Sequence, residues 1–332
     1  MNEFKILTYT PEIYDTLRCF MINQYPHRSR EYITWWLNVL QNSSDDIWRK
    51  TLIIMHNNKI VACMTSKKSS YVYKAKVYDF FYEANTIVCS SMRGRGIGNI
   101  LYSYLEQFDD RCTIGMTNLA YNIQSSKLKQ SISLDPIRVY ITINKNIFKY
   151  VANIVKQSKD YNLITPKAFK KKGVDFVYIN DFSEIVIPDK GKWNDDDVEI
   201  SRDLKYLEDR FELIWKNTEY VKYCLKKDGR QIGYVVYRKA KLYGLNIIAI
   251  VDYRCITKDD EKHVFNGANY IAKINGVGLS ICLSSRKYRI LSLRPLTIRT
   301  PKIIKGLAGL KLKTPHILFT SADSDLDFVY YE

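Results

Sequence analysis

The stretch "VCSSMRGRGIGNILYSYLEQF", Val88 to Phe108, constrains this chain more than any other. Only 14 glycines occur in 332 residues, yet Gly94, Gly96 and Gly98 stand together between a β-branched run and the apolar residues Ile97, Ile100, Leu101, Tyr104 and Leu105. Spacing of i, i+3 and i+4 belongs to an amphipathic helix, so the glycines mark a strand-to-helix turn. Such a turn leaves backbone N–H groups without partners at the helix N-terminus, where the macrodipole adds about half a positive charge. This is an anion site. Glycine suits it because a missing Cβ admits an anion's oxygens to the backbone and permits positive φ. Arg93 and Arg95 add charge beside the same place.

The length favours two units of roughly 150 residues each. No apolar stretch approaches the ~20 residues needed to span a bilayer, and the N-terminal "MNEFKILTYTPEIYDTLRCF" lacks a secretory pattern. A cytoplasmic protein without membrane insertion is expected. Seven cysteines without a CxxC pair, and four histidines without ligand spacing, imply reduced thiols and no metal. The formal charge of +16 fits a nucleic acid, an anionic surface or phosphorylated small molecules. Its densest run, "KAFKKKG" from Lys167 to Gly173, reads as a solvated loop.

Patterning predicts a mixed α/β fold, a mixed sheet flanked by helices. "PEIYDTLRCFMINQY" and "SREYITWWLNVLQ" have helical spacing, "TLIIMHNNKIVACMTSKK" reads as a hairpin, and "AKVYDFFYEANTIVC" as a third strand. "CTIGMTN" and "IRVYITI" continue the first domain, placed at 1–145, and a breaker-rich connector occupies 146–192. From 193 to 332 the outline repeats, with "DLKYLEDRFELIWKN" as helix and "YVKYCLKKDGRQIGYVVYRKAKLYGLNIIAIVDY" as three strands. There "VDYRCITKDDEKH" stands where the first half has its glycines.

No GxxxxGK[ST] string exists for a P-loop, and G-x-G-x-G after a third strand does not fit the dinucleotide turn. The string does fit R-x-x-G-x-G at Arg93, Gly96 and Gly98. It resembles the acetyl-coenzyme A site of the GNAT N-acetyltransferase superfamily. Val88 stands five residues before the arginine, "TIGMTN" ends in Asn118, and the "KL" of "SSKLKQSISL" falls where the family writes Y-x-K-L-G-F. Departures are Ser90 for the usual proline, Ser125 for the tyrosine that protonates the departing thiolate, and Lys129 and Gln130 for the glycine and phenylalanine. The resemblance implies two tandem GNAT-like domains, of which only the first keeps an intact acetyl-CoA turn.

It also implies that acetyl-CoA, or another short acyl-CoA, is held by Val88, Arg93, Gly94, Arg95, Gly96, Ile97, Gly98, Asn99 and Asn118. An amine attacks the thioester directly, with the Val88 amide as oxyanion donor and Asn118 on the pantetheine arm. The base is expected on the preceding strand, where alternation sets Asp79, Phe81, Glu83 and Asn85 on one face. Glu83 is the first choice and Asp79 the second. A bulge before Val88 changes which face reaches the acyl group.

Tandem modules with "YITWWLN" early and "FTSADSDLDF" late are similar to bacterial acyltransferases of surface-polysaccharide pathways, which implies an amino-sugar acceptor, nucleotide-linked in some members. Asp323, Asp325 and Asp327 would share one face of an extended strand and grip it, or form a polar terminal strand. Two other readings stay open. One is an aminoacyl-tRNA-dependent transferase of peptidoglycan bridges, which uses the basic charge for RNA; the other is a non-catalytic acetyl-CoA sensor.

Overall fold

A computed structural model describes residues 4–26, 28–73, 76–108, 110–112, 122–123, 131–133, 137–148, 162–188, 197–212, 220–242, 244–293, 302–304, 316–318 and 320–323. The chain forms two compact units. One comprises 1–71, 78–134 and 300–314, the other 72–77, 135–299 and 315–332.

In the first unit β1 (Lys5–Thr8) is followed by α1 (Tyr14–Gln24), α2 (Arg30–Gln41) and the short α3 (Asp45–Arg49). The side chain of Ser29 caps α2 by accepting from the Tyr32 amide, and Ile33, Leu37 and Leu40 bury one face. Antiparallel β2 (Leu52–His56) and β3 (Lys59–Tyr73) meet at Asn57 and Asn58, both at positive φ, as a two-residue hairpin turn requires. β4 (Lys76–Val88) pairs with β3 on one edge and, in parallel, with β5 (Arg111–Cys112) on the other. Between β4 and β5 runs α4 (Ile97–Leu105), anchored by buried Ile97, Leu101, Tyr102 and Leu105. β6 (Ser131–Ser133) completes the strands before the second unit.

The second unit is built on one eight-stranded sheet. Its members are β7 (Arg138–Ile143), β8 (Ala168–Lys171), β9 (Val174–Ile179), β11 (Tyr220–Lys227), β12 (Arg230–Leu242), β13 (Leu245–Cys255), β14 (Leu279–Ser284) and β15 (Ser292–Leu293). Their order is β15-β7-β14-β13-β12-β11-β9-β8. β10 (Asp197–Ile200) pairs in parallel with β17 (His316–Leu318), while β16 (Lys302–Ile304) returns to pair with β6. α5 (Leu204–Phe211) is capped by Asp203, and α6 (Glu261–Ile274) packs against β7, β8, β13 and β14 through buried Val264, Phe265, Ala268, Ile271 and Ala272.

Two boundaries differ from the sequence reading. The strand of "IRVYITI", assigned above to the first domain, is β7 and pairs antiparallel with β14 of the second sheet. The segment 146–192, taken as a connector, supplies β8 and β9, which extend that sheet beyond β11. Apolar alternation forecast strands here without saying which edge would receive them, because a strand's sheet is chosen by long-range pairing.

Where β13 and β14 pair, only Ile248–Ile250 face Ser280–Cys282, so β13 runs on past its parallel neighbour. Beyond that point the unit buries a set of charges. Arg202 contacts Asp252 at 2.9 Å and Asp323 at 2.7 Å, Arg254 contacts Glu199 at 3.3 Å, and Arg286 reaches Glu261 at 3.3 Å. Burial raises the Asp252 carboxyl, but Arg202 and Arg254 outweigh it and hold Asp252 well below the ordinary carboxylate range. Glu261 goes the other way, pushed up to about 7 by burial despite Arg286 and a hydrogen bond from Tyr288.

Two consequences can be measured. A Cβ at Gly267 of α6 would lie 2.4 Å from both Phe176 and the Tyr237 hydroxyl, so Gly267→Ala is expected to cost about 1–3 kcal/mol in denaturant unfolding. Glu261 releases its proton more readily unfolded than folded, so its contribution is complete below about pH 4.5 and is lost as pH rises through about 7. Asp252 contributes above the ordinary carboxylate range and loses that contribution in acid. The decline in Tm between pH 5 and pH 8 should therefore be smaller in Glu261→Gln than in the wild type.

Candidate functional site

β4 delivers the chain to the glycine turn, and one residue in β4 decides how it arrives. In a regular strand, residues of the same parity send their amides to the same edge. Phe81 donates to the Asp110 carbonyl at 2.9 Å, on the β5 side, whereas Cys89 donates to the Val61 carbonyl at 2.8 Å, on the β3 side. Both numbers are odd, so one extra residue lies between them. It is Asn85, whose φ of 51° places it in the left-handed region. The consequence is that the amide of Val88 turns toward the β5 edge.

The bulge is held from several sides. Asn85 Nδ2 donates to Thr65 Oγ1 at 3.1 Å, Trp36 Nε1 donates to the same oxygen at 2.8 Å, and Thr65 Oγ1 donates to the Ala84 carbonyl at 3.1 Å. Arg28 donates to Asn85 Oδ1 while its guanidinium sits 4.4 Å from the Tyr25 ring centre and 5.4 Å from that of Tyr32. The sequence singled out none of Arg28, Trp36, Thr65 or Asn85 as a group, because they come from four separate segments. The asparagine itself was the available signal, being a residue that tolerates positive φ within a β-branched run.

After β4 a 3-10 turn (Ser90–Met92) leads to Arg93, whose Nε donates to the Val88 carbonyl at 3.2 Å and ties the turn to the strand end. Gly94 and Gly96 have φ of 82° and 78°. Gly96 is the N-cap of α4, and its carbonyl accepts from Asn99 at 2.9 Å and Ile100 at 3.2 Å. Among the described residues the amides of Gly94, Arg95, Gly96, Ile97 and Gly98 donate to no protein acceptor. A Cβ built on Gly94, Gly96 or Gly98 would meet nothing within 4 Å. Packing therefore does not require these glycines. For Gly94 and Gly96 the positive φ is reason enough, but Gly98 lies inside the helix, where alanine is favoured by up to about 1 kcal/mol. Its bare backbone faces open space. Ile97 points inward, while Arg93, Arg95 and Asn99 are exposed around the cradle. Asn118 lies outside the described residues, as do Ser125, Lys129 and Gln130.

The two carboxylates proposed as bases have different fates. Glu83 is 5% exposed and accepts from Thr86 Oγ1 at 3.2 Å. Arg111, fully buried and paired in register with Phe81, shares its face. Burial pushes the Arg111 guanidinium down, and the charges of Glu83 and Glu106 oppose that shift. A guanidinium stays protonated even so. Asp79 is solvated, with its side chain 65% exposed and 3.2 Å from Lys68. It also stands nine residues from Val88, roughly 30 Å along a strand, which removes it from the turn. Lys50 is no rival base: burial pushes it down, but Asp110 at 2.7 Å and Asp46 at 2.8 Å more than restore it and leave it raised.

Asp323, read above as a sugar-gripping carboxylate on an extended strand, instead belongs to a 3-10 turn and is buried against Arg202. Asp325 and Asp327 lie outside the described residues. Among the described residues no three His, Cys, Asp or Glu side chains cluster as metal ligands, and no helix is long and apolar enough to cross a membrane.

Residues 10–128 match the sequence model of the Acetyltransferase (GNAT) family. A probable N-acyltransferase from Enterococcus faecalis superposes with a TM-score of 0.61 at 12% identity, covering 92% of this chain and 74% of its own. A GCN5-related N-acetyltransferase from Anabaena variabilis gives 0.57 at 9% identity, with 91% and 72% covered. One from Kribbella flavida gives 0.55 at 12%, with 91% and 70% covered. No curated protein sequence gives a significant match. The fold is thus GNAT-like, and residues 10–128 match the acetyltransferase family model.

If Gly98 serves a ligand and not the fold, Gly98→Ala should leave Tm unchanged or slightly raised while weakening coenzyme A binding at least ten-fold by calorimetry. Unchanged affinity would show that the diphosphate lies elsewhere.

Proposed function

We propose that this chain moves an acetyl or similarly short acyl group from acyl-CoA to the amine of an amino-sugar, nucleotide-linked or free, in the making of a surface polysaccharide. The observation that carries the acyl-CoA part is the row of unpartnered amides at Gly94–Gly98, bordered by backbone to which a Cβ could have been added without clash. A pyrophosphate fits such a row, because each oxygen finds a donor and the α4 dipole adds attraction. Arg93 and Arg95 supply charge beside it. When bound there, the cofactor brings the activated thioester; the remaining tasks fall to this chain's residues.

Val88 N–H, turned to the β5 edge by the Asn85 bulge, donates to the oxygen on which negative charge develops. Removing one such donor in other enzymes costs about 3–4 kcal/mol. Glu83 takes a proton from the acceptor's ammonium group, which leaves a neutral amine able to attack. It lies five residues from Val88, about 16 Å along an extended strand and less across a bulge, so the proton travels through water. Arg111 supplies a fixed positive charge on the same face. Asn118 holds the pantetheine arm in this reading.

The amino-sugar acceptor rests on the resemblance of the sequence to polysaccharide acyltransferases and on the charge of +16, which favours an acceptor bearing phosphate. A tandem arrangement is supported by topology. In both units three antiparallel strands lead into a helix followed by a strand parallel to the third: β2-β3-β4-α4-β5 in one, β11-β12-β13-α6-β14 in the other. At the head of α6, Asp259, Asp260 and Glu261 replace the glycines and repel a phosphate, so only the first unit would keep the cofactor.

Thiol release from acetyl-CoA, measured against free and nucleotide-linked amino-sugars, tests the whole reading, with an N-acyl product as the required outcome. Glu83→Gln is expected to lower kcat by ~10²–10⁴-fold with coenzyme A affinity unchanged. A loss of less than three-fold would remove Glu83 from proton transfer.

A further inference from the structure

The second unit holds a basic cavity of about 630 Å³ along α6 that the transfer reaction does not use. Two hairpin turns bring lysines to it. Lys172 and Gly173, at φ of 52° and 79°, form the tight turn between β8 and β9, and Lys227 closes β11 just before the Asp228–Gly229 turn into β12. Lys171 and Lys227 both stand in register with Val174, so the two turns lie side by side. Lys262 arrives from the first turn of α6. All three lysines are exposed, and among the described residues none of them makes an ion pair or a hydrogen bond.

Three like charges converging on one concavity raise the free energy of the unliganded protein, and an anion relieves it. A second observation points the same way. His263 lines the cavity, is only 7% exposed, and its Nδ1 is buried with no hydrogen-bond partner among the described residues. Burial, with Lys262 and Lys227 beside it, pushes its imidazole below the ordinary histidine range, opposed by Asp260. Asp260 is itself engaged, accepting from Thr257 Oγ1 at 2.6 Å. Asn269 and Phe265 add one polar and one apolar surface to the same wall.

The geometry points to a binding site in the second unit for a small phosphate-bearing molecule, held by Lys172, Lys227 and Lys262, with its organic part against Phe265 and Asn269. Compact ammonium charges suit phosphate, and three of them exceed what a single carboxylate would neutralise. The run "KAFKKKG", read from sequence as a solvated loop, instead forms β8 from Ala168 to Lys171 because it pairs with β9, and it gains a role through Lys172 in the turn that follows. This site takes all its residues from the second unit, and it stands whether or not the acceptor is a sugar.

Inorganic pyrophosphate titrated calorimetrically into the full chain tests it. In Gly96→Glu, where the α4 cradle carries a carboxylate, saturable pyrophosphate binding should persist, whereas adding Lys172→Glu and Lys227→Glu should weaken it at least ten-fold. The lysine double variant alone should retain coenzyme A binding, which also reports its folding. Acetate at equal concentration should give no saturable heat; binding as tight as pyrophosphate would mean a carboxylate site and overturn the assignment. Imidazole NMR supplies a measurement without mutation, since pyrophosphate should raise the titration midpoint of His263 among the four histidines. Absence of saturable binding by the wild type, loss of all binding in Gly96→Glu, a His263 midpoint that does not move, or unaltered affinity in the lysine variants would each overturn the proposal.

Discussion

One left-handed residue in the middle of a strand governs the first unit. Asn85 inserts an extra step into β4, and because amides alternate between edges, every donor after it faces the opposite way from the one its number would suggest. Without that step Val88 would donate into β3, as a regular ladder member. The cost of a positive φ at a non-glycine residue is about 1–3 kcal/mol. Hydrogen bonds from Arg28 and to Thr65, with Trp36 on the same threonine oxygen, offset it. The helices that precede the sheet thus do more than cover it: α2 and the segment before it fix the angle at which the strand reaches the turn.

The two units bury charge in contrasting ways. In the first, Glu83 and Arg111 are both taken from water, and the Arg111 nitrogens have no hydrogen-bond partner among the described residues. Such an arrangement is costly, because desolvation is only partly repaid by the attraction between the charges. In the second, Arg202, Arg254 and Arg286 face Asp252, Glu199, Glu261 and Asp323, so opposite charges compensate where β13 outruns β14. The space beyond the paired stretch of β13 and β14 is thus filled by side chains.

How much of this was legible before the structure depends on whether the signal is local. The glycine turn, the Asn57–Asn58 hairpin, both N-terminal helices and the three strands of the second half are written in short windows of periodicity and turn chemistry, and they occur where patterning put them. The bulge was expected in kind, but its residue was not named, because a single φ leaves the apolar pattern of β4 intact. Glu83 and Asp79 look alike in the sequence: both are carboxylates on one face of one strand. Only pairing with β5 buries one, while Lys68 and solvent hold the other. Asp323 was misread because its partner, Arg202, stands more than a hundred residues away.

By itself the sequence determined what the turn offers: three glycines and two arginines at a helix head set unpartnered amides beside positive charge, since that follows from backbone geometry within a dozen residues. It also determined that the halves share an outline of strands and helix. Tertiary structure alone decided which sheet receives the strands at 138–143 and 168–179, which carboxylate is buried beside an arginine, and which way the Val88 amide points. Each of those depends on contacts between segments far apart in the chain, and hydrophobic patterning carries no information about such partners.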